Sequence, residues 1–183
     1  GDAYAGGMPI EPLRRIANLV AATGNHLRVE LASVGEDGAS FHPAPGEWCA
    51  KEVIGHLIEA DRRGFTGRVE QILAADRPNL EAWDQAGVAA ARADCGRPSA
   101  EVLDECAAGR RDGLLLLERL ATGDLARVGL HPEVGEMTVS DILHEWPFHD
   151  RDHLKQVLAN TRAWLWPDLG SARRFTELRG GEI

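Results

Sequence analysis

Four long stretches with apolar residues at three- and four-residue steps, separated by Gly- and Pro-rich loops, constrain this 183-residue chain more than any other feature. The first runs from about residue 10 to 33. Pro9 and Pro12 suit its opening turn, and Leu13, Ile16, Val20, Leu27 and Leu31 follow at helical spacing. Residues 35–46, with Pro43 and Pro45, read as a loop. A second helix is predicted over about 49–75, with Val53, His56, Leu57, Ala60, Gly64, Gly67 and Gln71 on one face. Arg77-Pro78 ends it. The connection 78–98 has room for one short helix between Trp83 and Ala91, and a connection that long often crosses a bundle or covers a site.

Ser99 is placed to cap a third helix reaching about 121, lined by Val102, Leu103, Leu114, Leu117 and Leu120. Residues 122–137 read as a loop without strands. Thr138 and Asp141 form a capping box for a fourth helix to about 160. Pro147 falls inside it and predicts a kink, the alternative being two helices that meet there. A short helix over 171–179 follows Pro167. Helices of about 20–27 residues span roughly 30–40 Å each at 1.5 Å per residue. The expected fold is all-α, a four-helix bundle over residues 10–162, with a flexible N-terminus at 1–9 and a C-terminal extension at 163–183.

Charge and composition exclude several functions. Twenty Lys and Arg against 29 Asp and Glu give a net charge of −9, which argues against nucleic acid, because phosphate binding needs clustered cations. No polybasic membrane anchor is present. The densest apolar run, Leu114 to Leu117, is far short of the roughly 20 residues that span a bilayer. The opening GDAYAGGMP has neither the basic nor the apolar segment of a secretory leader. The three cysteines show no C-x-x-C spacing, so neither a disulfide framework nor a Cys-rich zinc site is expected, and a reducing cytoplasm is the simplest compartment.

The chemistry concentrates in histidine. His149 and His153 form H-x-x-x-H, which puts both imidazoles on one face a turn apart. They lie in the apolar stripe Ile142, Trp146, His149, His153, Val157, and His56 holds the matching place between Val53 and Ala60. Buried imidazoles need partners, since an unpaired buried polar group costs about 1–3 kcal/mol. Two readings follow: one divalent metal shared by all three, or three separately hydrogen-bonded core histidines. His26, His42, His131 and His144 have no second ligand at metal spacing.

The segment PGEWCAKEVIGHLIEADR (Pro45 to Arg62), with TVSDILHEWPFHDRDHLKQV (Thr138 to Val157) far downstream, resembles the DinB/YfiT-like superfamily. The matching residues are Trp48, His56, His149, His153 and Gln156, and the resemblance covers about residues 10–160. It implies a four-helix bundle, a metal held by His56, His149 and His153, and a homodimer. Cys49 departs from the family, which commonly has a Ser or Thr cap there, and Pro147 is less typical.

Three neutral imidazoles leave coordination positions open for water or substrate, as in catalytic sites. The family includes thiol-dependent transferases and isomerases that use mycothiol or bacillithiol, and others that look like metal-dependent hydrolases. The leading expectation is therefore a metal-dependent enzyme, an S-transferase or isomerase, acting on a small molecule with a low-molecular-weight thiol as cosubstrate. A hydrolase and a non-catalytic dimeric binding protein are the alternatives. The metal is left open among Zn, Ni and Fe. Glu52 and Glu145, each one turn before a histidine, are candidate bases or partners of the imidazoles, with a solvated helix charge as the plain alternative. Asp150, Arg151 and Asp152 are expected to face solvent, with Arg151 a possible anchor for an acidic substrate, and Trp48 and Trp146 to wall the pocket or fill the core. The Leu114–Leu117 run covers more than one helix face and supports dimerisation.

Overall fold

The computed structural model of the protein describes residues 10–178; the expected flexible segment 1–9 and residues 179–183 lie outside them. Its helices are α1 (Glu11–Ala39), α2 (Ala50–Glu59), α3 (Thr66–Ala74), α4 (Gln85–Arg92), α5 (Ser99–Arg119), α6 (Val139–Leu165) and α7 (Arg173–Leu178). A π-turn over Ala60–Phe65 joins α2 to α3, so these behave as one long helix, and with α1, α5 and α6 it makes the four-helix bundle. Among the described residues no helix is long and apolar enough to cross a membrane.

The π-turn changes which residues are buried. It adds one residue to the turn and rotates everything after it. Val53, His56, Leu57, Ala60 and Gly64 are buried as the spacing predicts, but Gln71 is exposed and Val69 and Ile72 take the core positions. Thr66 Oγ1 stabilises the wide turn by donating to the Asp61 carbonyl at 2.6 Å.

Other departures are local. Gly35 leaves the helical region at φ +65°, where the loop was expected, yet one more turn carries α1 to Ala39. Ser99 is the first residue of α5 rather than its cap; its N–H is taken up instead by Glu36 Oε1 from α1 at 2.8 Å. The segment expected to be strandless holds a hairpin, β1 (Val128–His131) against β2 (Gly135–Thr138), in antiparallel register Val128 to Thr138 through His131 to Gly135. Thr138 and Asp141 do form the capping box of α6, and that helix runs unbroken through Pro147.

Two apolar clusters fill the bundle. One gathers Val20, Phe65, Leu117, Leu143 and Trp146, the other Leu27, Leu31, Ile54, Leu57 and Val157. Between them every long helix contributes polar residues: Thr23 from α1, His56 and Asp61 from the second helix, Arg110 from α5, and His149, Asp150 and His153 from α6. Arg110 is the hub. Its terminal nitrogens donate to Asp150 at 2.5 and 2.7 Å, and its Nε lies 2.7 Å from Asp61. Asp61 also accepts from Trp146 Nε1 at 2.7 Å. Asp150 is therefore fully buried, not solvent-facing. Burial opposes the charge on Arg110, but Asp61 and Asp150 outweigh it and hold the guanidinium above its ordinary value.

Removing one partner from such a cluster strands the others. Arg110→Met should lower unfolding stability by about 3–5 kcal/mol, read as a fall in the urea midpoint with unchanged slope. Arg119→Ala, at an exposed pair with Glu70, should stay within about 1 kcal/mol of wild type.

Candidate metal centre

The site is assembled from the beginning of α2 and the middle of α6. Glu52 Oε2 accepts the N–H of Cys49 at 2.8 Å and fixes the first turn of α2, which presents His56 one turn later, only 4% exposed. On α6, Pro147 has no N–H for the Leu143 carbonyl. The helix continues past it and sets His149 and His153 a turn apart, both half-buried, opposite His56.

The three rings converge. His56 Nε2 and His149 Nε2 are 3.2 Å apart, and one nitrogen from each histidine lies within 4.8 Å of the others. Ring centroids are 4.5 Å apart for His56–His153 and for His149–His153, and 5.2 Å for His56–His149. A tetrahedral zinc with bonds of about 2.0–2.1 Å would separate its nitrogens by roughly 3.4 Å, close to the His56–His149 spacing.

Hydrogen bonding also fits a metal. His153 Nδ1 pairs with Gln156 Oε1 at 3.0 Å; in the tautomer that donates there, Nε2 keeps its lone pair for an ion. The buried Nδ1 atoms of His56 and His149 have no hydrogen-bond partner among the described residues. An ion bound at the Nε2 atoms leaves these Nδ1 atoms as they are, so the metal reading rests on the convergence of the three rings. Burial, then the neighbouring His153 and His149, pulls the His56 pKa down to about 3; burial, then His153 and Arg110, pulls His149 down to about 4. Both are neutral at pH 7, the form that binds metal.

Aromatic rings surround the centre. Trp48 lies 5.3 Å from His56, Trp83 stacks on it at 5.8 Å, and Phe65 meets His149 edge-on at 5.3 Å. Trp48 and Trp83 are half-buried and line the rim. Trp146 is instead wholly buried, stacked on Phe65 and bonded to Asp61. Trp83 and Phe65 were not singled out from the sequence as site residues. Trp83 sits in the 78–98 connection, whose length was the one signal that it could cover a site, and Phe65 reaches His149 from the π-turn.

The remaining sequence candidates lie elsewhere. Glu52 is engaged in capping, and Glu145 is exposed. Arg151 is tied to α1 through Thr23 Oγ1 at 2.6 Å. His131 accepts from Arg68 at 2.9 Å, His144 bonds the Ser140 carbonyl at 2.7 Å, and His26 is exposed.

The family model described as the DinB superfamily matches residues 19–157. No curated protein matches the chain. Among solved structures, YfiT from Bacillus subtilis, described as a probable metal-dependent hydrolase with an unusual four-helix bundle topology, superposes with a TM-score of 0.75 at 14% identity, covering 88% of this chain and 92% of its own. A conserved protein from Enterococcus faecalis gives a TM-score of 0.63 at 14% identity, covering 84% of this chain and 97% of its own. At that identity the likeness concerns the fold.

Replacing His56, His149 or His153 by Ala should strip most of the bound metal, whereas His144→Ala and His131→Ala should leave it near wild type; elemental analysis of untagged protein decides. Gln156→Leu should weaken metal binding by about 10–100-fold. Free imidazole titrates near 6.5, which by itself would set metal release at about pH 5. The lowered values of His56 and His149 postpone proton competition at these two ligands until the pH approaches 4. Metal content should hold at pH 5 and fall below it; complete loss by pH 5 would show the rings to be solvated.

Proposed function

The chain belongs to the DinB superfamily, and on that premise we propose that it is a divalent-metal-dependent enzyme that transfers a low-molecular-weight thiol, with the ion held by His56, His149 and His153. The observation that carries this reading is the all-imidazole cluster with a half-open aromatic rim. A divalent ion bound only by neutral imidazoles keeps its full charge, leaves positions open, and acidifies a water or thiol that binds there.

The chain's own residues then have separable roles. His56 and His149 are held neutral by burial, and Gln156 orients His153. Trp48 and Trp83 offer an apolar surface to the substrate and limit water. Among the described residues no carboxylate joins the cluster: Asp61 and Asp150 are held by Arg110, Glu52 caps α2, and Glu145 is exposed. A thiol and a water are both acidified on coordination, so the all-imidazole set suits either chemistry, and the thiol reading rests on the resemblance to the thiol-dependent members of the superfamily. The similarity to YfiT supports the second reading, a metal-dependent hydrolase.

A panel of thiols with electrophilic acceptors, run beside ester and amide substrates without thiol, separates the two. Thiol-dependent conjugation that disappears in His149→Ala supports transfer. Hydrolysis independent of thiol, lost in the same variant, replaces it with the hydrolase. We also propose a homodimer in the cytoplasm: Leu115 within the Leu run of α5 is 45% exposed, and the three cysteines are free. Sedimentation showing only monomer at micromolar concentration would overturn the dimer.

A further inference from the structure

We propose that His42, Cys49, Cys95 and Glu52 form a second metal site, suited to zinc, at the N-terminal end of α2. One ligand atom from each lies within 4.8 Å of the others. The sequence hides the group, because its members come from the loop after α1, the start of α2 and the long connection before α5. None of them belongs to the histidine triad. Cys49 and His56 are seven residues apart, which is roughly 10 Å along a helix.

The donors are arranged for a cation. His42 Nδ1 donates to the Glu47 carbonyl at 2.8 Å, which leaves the Nε2 lone pair facing Cys95 Sγ at 3.3 Å. A backbone carbonyl holding one imidazole nitrogen while the other points at the ligand position is the usual support of a metal-bound histidine. Cys49 is fully buried and Cys95 half-buried. Glu52 is the fourth member of the cluster: its Oε2 caps Cys49 and lies 3.6 Å from His42 Nδ1, so Oε1 is the oxygen left to ligate. Two sulfurs, one imidazole and one carboxylate match the ligand preferences of zinc. A tetrahedral zinc spaces such atoms roughly 3.3–3.8 Å apart, so the cluster closes by about 1 Å at its widest.

The surrounding structure holds the three segments together. Lys51 Nζ donates to the Arg97 carbonyl at 2.7 Å and pairs with Glu36 at 3.2 Å. Ala93 takes a left-handed turn at φ +49°, which brings Asp94 against α2. There Gly55 gives it room: a Cβ at that position would collide with the Asp94 carboxylate. Cys95 is thus pressed towards Cys49 before any ion binds. Binding one Zn²⁺ breaks two S–H bonds, forms two Zn–S bonds and releases two protons to solvent.

Cobalt(II) is the probe, since thiolate ligation gives a near-ultraviolet charge-transfer band that the all-histidine triad cannot produce. Full-length, untagged, reduced protein with three titratable thiols should show the band, and in the variant without the triad it should saturate at one equivalent per chain. It should persist in a His56→Ala/His149→Ala/His153→Ala variant and vanish in Cys49→Ser and in Cys95→Ser. His42→Ala should weaken cobalt binding at least tenfold. Zinc added in weak buffer should displace the band and keep the two protons released. If the triple variant does not fold, wild type gives the same reading, because the band reports the thiolates alone. No band in reduced wild-type protein overturns the proposal. So does a band that survives both serine variants. Neither result bears on the triad, whose metal is counted by elemental analysis.

Discussion

The ion cluster around Arg110 governs the geometry of the bundle. One guanidinium on α5 reaches Asp150 on α6 and Asp61 in the π-turn, and Trp146 closes the network by donating to Asp61. Each group is buried, so none can be satisfied by water, and each fixes the position of the next. Three helices are thereby locked at one level by polar contacts with little tolerance for rotation or sliding. Apolar packing alone would permit alternatives that this network excludes. A buried ion cluster is weak evidence for net stability, and its clearest effect is on register.

That register sets the histidines. Asp150 follows His149, so the bond that anchors α6 to α5 also fixes the angle at which His149 enters the centre. Asp61 lies five residues after His56, and its bond to Trp146 ties the second helix to α6. The network carries two carboxylates against one guanidinium, yet Arg110 still stands close enough to help keep His149 neutral. Neutral imidazoles between two apolar clusters are expensive to leave unpaired and cheap to pair with a cation. The same burial that costs the apo-protein hydrogen bonds suits it to hold an ion.

Periodicity made the bundle and the triad legible. H-x-x-x-H within an apolar stripe can point only inward, and His56 occupied a core position on the second helix. What stayed hidden depended on contacts between distant segments. The π-turn is one extra residue in a turn, invisible to a 3.6-residue average, and it moved the buried register from Gln71 to Ile72. Asp150 looked like a solvent charge because its partner is 40 residues away. The β1–β2 hairpin has strands of only four residues, two of them beginning or carrying glycine, too short for alternation to register. The base suggested at Glu52 failed for a local reason: a carboxylate at the third helical position finds the backbone N–H of the cap before it finds anything in the core.

The second helix carries two donor sets of different character. At its first turn are sulfur, carboxylate and one imidazole; a further turn along, at His56, imidazole alone. The mixed set lies where chain segments meet, and its anionic ligands would neutralise an ion and close around it, as structural zinc requires. The all-nitrogen set lies in the bundle, leaves the charge on the ion and opens on an aromatic rim, as chemistry requires. Trp83 links the two. It belongs to the same connection as Cys95, so whatever ties that connection to α2 also holds the aromatic wall against His56.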